Sequence, residues 1–143
     1  MNALELLKRD HNVITALFDE AGTYADKKRA YARIKSELEV HAYVEETLFY
    51  PILQKEDALK ALVDDARTQH RLMRELLDDL ETQDGAEFEK NFQTLKAETQ
   101  LHFTGEENEI FPQVARLKSD LDLRRLGERL ENDKTTRQAT APA

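Results

Sequence analysis

The chain has 143 residues, 40% hydrophobic and 35% charged, with 29 acidic against 21 basic side chains and a net charge of −8. That balance suits one domain able to bury a core, and it speaks against nucleic acid or an anionic membrane as a partner, since either would need a basic stripe. Cysteine is absent, which excludes disulfides, thiolate metal sites and thiol catalysis; only 4 glycines and 3 prolines favour long helices over an all-β fold.

Taken in chain order, the sequence predicts four main helices and a short fifth. Asn2 with Glu5 reads as a capping box opening a helix over about 3–21, stopped by Gly22, with the inward stripe Leu4, Leu7, His11, Ile14, Phe18. The second helix is expected from Asp26 to about Pro51, with Tyr31, Ile34, Leu38, His41, Glu45 and Leu48 inward. The third is expected over about 57–83, with Leu59, Val63, Ala66, His70, Met73, Leu77 and Leu80 inward and Gly85 just past its end. The fourth follows Asp84 and runs to about Phe111, with Phe88, Phe92, Leu95, Thr99, His102 and Glu106 inward. Ser119 with Asp122 then opens a short helix carrying Leu121, Leu126 and Leu130. The expected organisation is one domain over 1–131 and a polar, small-residue tail without structure over 132–143. The N-terminus has no signal-peptide core, and no run approaches the roughly 20 apolar residues of a membrane span, so the expected location is cytoplasmic.

The chain has four histidines, one on each main helix and each on the inward stripe. His41 and His102 are each followed four residues later by a glutamate, Glu45 and Glu106. The segment HAYVEETLFYP (41–51) aligns with HFTGEENEIFP (102–112), so the chain reads as a helix pair used twice. Residues i and i+4 lie about 40° apart on a helix. His41 with Glu45, and His102 with Glu106, can therefore reach one cluster, which His11 and His70 close from the other two helices. Two inward carboxylates among four imidazoles, with no inward lysine or arginine at that level, would be costly unless cations compensated them. Nitrogen and carboxylate donors without sulfur suit iron, manganese or zinc, and shared carboxylates suit a pair of ions.

The set His11, His41-AYV-Glu45, His70 and His102-FTG-Glu106, with Tyr50–Pro51 and Phe111–Pro112 following, resembles the hemerythrin-like, or HHE cation-binding, domain. The resemblance covers roughly residues 3–130. It implies an all-α fold, an antiparallel up-down-up-down four-helix bundle, and two iron ions joined by an oxo or hydroxo bridge; the donor set keeps zinc or manganese as the alternative metals. It also implies a small-molecule partner: dioxygen, peroxide or nitric oxide. Oxygen-carrying hemerythrins are similar but have a further histidine four residues after the helix 3 ligand. Here Arg74 stands in that place, and arginine stays protonated and cannot ligate.

Three readings of function stay open on the sequence. One is a di-iron enzyme acting on peroxide or nitric oxide in stress protection. The second is a binding, storage or sensing protein for iron or oxygen, without turnover. The third is a structural bundle with an incidental metal. The oligomeric state is open as well, a monomer being compatible with the sequence. Glu46 and Glu107, about 100° round from the ligand glutamates, are expected behind the ligands or in solvent. Tyr31, Tyr43 and Tyr50 are expected to pack, an inward phenol near iron being the exception. Gly105, inside the fourth helix, is either drift, a close helix contact, or room beside the metals.

Overall fold

In the computed structural model, which describes residues 1–140, each apolar stripe folds as helix and no strand occurs among the described residues. Helix α1 (Ala3–Glu20) opens on the expected capping box, Asn2 and Glu5 exchanging side-chain-to-backbone hydrogen bonds of 2.9 Å. Helix α2 (Tyr24–Val44) starts ahead of Asp26, because Thr23 and Asp26 form a second capping box. It continues through a π-turn at Glu45–Phe49 into α3 (Tyr50–Leu53). A single 3₁₀ turn, Asp57–Leu59, leads into α4 (Lys60–Leu80). The second half repeats this order. Gly85, at φ +60°, takes the left-handed conformation that only glycine adopts freely and begins α5 (Gly85–Gly105). A second π-turn, Glu106–Ile110, leads into α6 (Phe111–Leu117).

The two π-turns fall at matched positions of the internal repeat, each beginning at a candidate ligand glutamate and ending ahead of an aromatic–proline pair. A proline inside a helix crowds the carbonyl four residues earlier, here that of Thr47 or Asn108, and a wider turn relieves the clash. The turn also rotates the helix downstream of it. In a regular α-helix residue i+5 lies roughly 140° round from residue i. With an i+5 hydrogen bond, Tyr50 N–H to Glu45 O and Phe111 N–H to Glu106 O, the aromatic side chain is returned to the glutamate's face. Regular periodicity put Leu48 on the inward stripe; the π-turn instead buries Phe49 and Tyr50 completely and leaves Leu48 half-buried.

The last segment departs most from expectation. Ser119 caps α7 (Asp120–Thr140) by accepting from the Asp122 N–H at 3.1 Å, and the helix runs through residues 132–140, expected as a tail without structure. Residues 141–143 lie outside the described residues. The expected apolar face is also shifted: Leu123, Leu126 and Leu130 are buried, whereas Leu121 is exposed. Polar composition hid the anchoring of the helix beyond Leu130, which is made by ion pairs and one aromatic contact to α1 and α2. Arg9 meets Glu131 at 3.1 Å, Lys134 bonds Asp10, and the Arg137 guanidinium lies 3.5 Å over the Tyr43 ring.

Helix α1 packs against α2 and α7, α4 against α5, and the two pairs meet where α1 touches α5 and α2 touches α4. The apolar interior forms two separate clusters. One contains Leu7, Val44, Phe49, Tyr50, Val63, Phe111 and Leu126; the other contains Ile14, Phe18, Leu38, Met73, Phe92 and Leu95. The four histidines and two glutamates sit in the layer between them. No helix among the described residues is long and apolar enough to cross a membrane.

Gly127 is where α7 approaches the N-terminus of α1 most closely. A Cβ there would lie 2.6 Å from Met1 O and 2.8–2.9 Å from backbone atoms of Asn2 and Ala3. Gly127→Ala should therefore destabilise the protein by about 1–3 kcal/mol, read as a lower denaturation midpoint by circular dichroism; a midpoint equal to that of the unmodified protein would show that the chain end moves aside freely.

Candidate metal centre

His11, His41, His70 and His102 are all buried to within 2% of full burial, and Glu45 and Glu106 are 0% and 1% exposed. Their helices turn all six inward at one level, with each imidazole presenting Nε2. Glu45 Oε1 lies 3.3 Å from His41 Nε2, 3.1 Å from His70 Nε2 and 3.7 Å from His102 Nε2. Glu106 Oε1 lies 3.1 Å from His11 Nε2 and 3.3 Å from His102 Nε2. Ligand atoms of His11, His41, Glu45 and Glu106 fall within 4.8 Å of one another, as do those of Glu45, His70 and His102. All six residues singled out in the sequence are thus brought together, in two groups that share Glu45.

A seventh group stands among them. Tyr50 Oη is 2.8 Å from Glu106 Oε2, 3.2 Å from Glu45 Oε1, 3.2 Å from His70 Nε2 and 3.5 Å from His102 Nε2. Tyr50 was expected to pack. Its signal was in the repeat, where Tyr50 aligns with Phe111, but reading it required knowledge of the π-turn. On the opposite side the His11 ring stacks on Phe103, centroids 3.9 Å apart, with Phe111 5.8 Å away. The phenol thus breaks the symmetry between the halves.

Behind the cluster, the outer nitrogen of each imidazole meets a polar group. His11 Nδ1 is 2.8 Å from Glu107 Oε2, His41 Nδ1 3.2 Å from Asp10 Oδ2, and His102 Nδ1 2.6 Å from Gln69 Oε1. His70 Nδ1 lies 3.5 Å from Glu46 Oε2 with no hydrogen bond between them, and Glu46 is held by Arg74 at 3.1 Å. Such partners fix the ring orientation and tautomer of a metal-binding histidine. Glu46 and Glu107 stand behind the candidate ligands, one of the two placements expected for them; Asp10 and Gln69 were not singled out, because each faces a histidine on another helix and neither adjoins a glutamate of the motif.

The electrostatics suit cations. Burial alone would push the His41 imidazole down, but Glu45 and Asp10 outweigh it and hold the ring at about 10. His70 is likewise raised against burial, to about 9, by Glu45 and Glu46. Against the upward push of burial, the charge of His41 holds Glu45 well below the usual carboxylate range. Burial and the Glu106 and Glu45 carboxylates push the Tyr50 phenol well above its ordinary value. Protons thus gather where positive charge is wanted. His41 Nε2 and Glu45 Oε2 remain buried without a hydrogen-bond partner. An all-nitrogen-and-oxygen donor set with unpartnered atoms aimed inward fits metal ions of the iron, manganese or zinc type.

A model of the hemerythrin HHE cation binding domain matches residues 2–114. The chain belongs to this family. Metal-cation binding is the property the family's description carries, and the buried histidine–glutamate cluster fits it. The fold is similar to that in a crystal structure of a hemerythrin HHE cation binding domain-containing protein from Mycobacterium kansasii. The TM-score is 0.85 at 24% identity, over 98% of this chain and 89% of that one. No curated protein matches the sequence.

Gly105, between His102 and Glu106, has no role in this geometry. A Cβ there would meet no atom within 4 Å, so neither a close helix contact nor crowding of the cluster depends on the glycine. Gly105→Ala should stabilise the protein by up to ~1 kcal/mol through helix propensity, with metal uptake unchanged; weaker uptake on titration with ferrous iron would show that the space beside the helix is used.

Proposed function

We propose that this chain is a non-haem di-iron protein, an antiparallel up-down-up-down four-helix bundle that binds or transforms a small ligand: dioxygen, peroxide or nitric oxide. The observation that carries the reading is the sharing of Glu45 between two ligand groups. His11, His41 and Glu106 would hold one ion together with Glu45, and His70 and His102 the other. Tyr50, whose hydroxyl lies within 3.5 Å of four of these six side chains, would add a phenolic oxygen donor. Bound iron supplies the one-electron steps that the chemistry of oxygen, peroxide and nitric oxide requires.

The protein's own groups do the rest. Glu107, Asp10, Glu46 and Gln69 hold the imidazoles in register, and Phe103 and Phe111 exclude water on the His11 side. Tyr50 Oη donates to Glu106 Oε2 and so keeps a proton at the centre until a cation displaces it. Arg74, in the place of a fifth histidine, is drawn into its pair with Glu46 and leaves four imidazoles for two ions. Four imidazoles, two carboxylates and one phenol do not saturate two six-coordinate ions, so positions remain for an incoming ligand.

Protein purified without added metal should hold about two iron ions per chain. The reduced form should oxidise in air without recovery under argon, and the oxidised form should release oxygen from peroxide. Repeated full recovery of the reduced form would instead make this an oxygen carrier, and a single zinc would exclude the di-iron reading.

Glu45→Ala and Glu106→Ala should each lose metal, and with it the rise in melting temperature that iron confers on the unmodified protein. A full metal complement in either variant would remove that glutamate from the ligand set.

Tyr50→Phe should keep two ions but lose visible phenolate-to-iron absorption. An identical spectrum would return Tyr50 to a packing role.

A further inference from the structure

Helix α7 lies beyond residues 2–114, the segment the family's model matches, yet it reaches the candidate metal centre. Lys134 Nζ contacts Asp10 Oδ1, and Asp10 Oδ2 stands 3.2 Å from His41 Nδ1. Both side chains are well covered, Lys134 12% and Asp10 4% exposed. The geometry points to Lys134 as a positioning residue of the metal centre, which fixes His41 through Asp10 and makes α7 part of the site. This inference rests on the reading of His41 as a ligand.

The argument begins with Asp10. It is a third buried carboxylate near the cluster, adjacent in sequence to His11 but turned toward α2. Left alone, it would be a costly buried charge free to rotate. The lysine occupies one oxygen and so leaves the other for His41. An ionised carboxylate only accepts hydrogen bonds, so the proton of this contact belongs to His41 Nδ1, and Nε2 is left to face the ions. His41 Nε2 is one of the buried atoms without a hydrogen-bond partner. The lysine is itself held in place, since α7 is anchored by Leu123, Leu126 and Leu130 in the core, by Arg9–Glu131 and by Arg137 over Tyr43. Glu46, behind His70, is held by Arg74 of α4, whereas Asp10, behind His41, is held by Lys134 of α7.

The test uses the full chain loaded with iron or with cobalt(II). Lys134→Met keeps the length and apolar stem of the side chain and removes the charge. It should release metal to a strong chelator roughly tenfold faster and shift the visible cobalt spectrum; the metal-free protein should also melt lower, because Asp10 loses its buried counter-charge. Lys134→Arg should restore both readouts. In an Asp10→Asn background Lys134→Met should add nothing, because the two act as one unit. An unchanged release rate and cobalt spectrum in Lys134→Met would overturn the inference; so would a lowered metal-free melting temperature with an unchanged spectrum, which is the mark of packing alone. If Lys134→Met fails to fold, Asp10→Asn alone carries the test, and normal retention there overturns the inference. Metal uptake by the unmodified chain with equal retention in the variants removes only the role of Lys134. No uptake by the unmodified chain removes the di-iron reading and this inference together.

Discussion

Two carboxylates with essentially no solvent exposure, Glu45 and Glu106, set the terms for the rest of the molecule. Each would cost several kcal/mol if left unpaired in an apolar interior. Four imidazoles and a phenol are gathered on them, and the shifts of His41 and His70 show how strongly the carboxylates draw positive charge when protons are what is available. The hydrophobic core is divided in two by this layer, and the helices are held at the spacing the layer requires. Polar partners behind every histidine complete the compensation at a second distance.

Much of this was legible in sequence. One histidine per helix, each on an apolar stripe of helical period, can converge in only a few ways, and the HxxxE repeat fixed which glutamates join them. The inward stripes of α1, α4 and α5 fold as the periodicity predicts, down to Thr99 and Met73. Those helices have regular geometry over the residues concerned, so counting by 3.6 works.

Two features were not legible, for different reasons. At the π-turns the helical period itself changes, so a fixed count places Leu48 inward and misses Tyr50. The proline pairs mark the place but do not give the size of the rotation. In the second half of α7 the ion pairs that anchor it, Arg9 with Glu131 and Lys134 with Asp10, join residues more than a hundred positions apart. Composition counts those side chains as solvent-loving, although their fixed partners lie on α1 and α2. Asp10 and Gln69 escaped for a related reason: each orients a histidine on another helix, and no local spacing relates the two.

The paired π-turns also act as phase shifters. In an uninterrupted helix every inward position shares one rotation, so adjusting the packing at one end swings the side chains at the other. Here the segments ahead of Glu45 and Glu106 keep their phase to the cluster. Those after Phe49 and Ile110, with Leu53 and Val114, keep theirs to the core below. Each turn fixes the rotation between the two segments, so Tyr50 and Phe111 come back to the cluster while Leu53 and Val114, further along, pack into the core below.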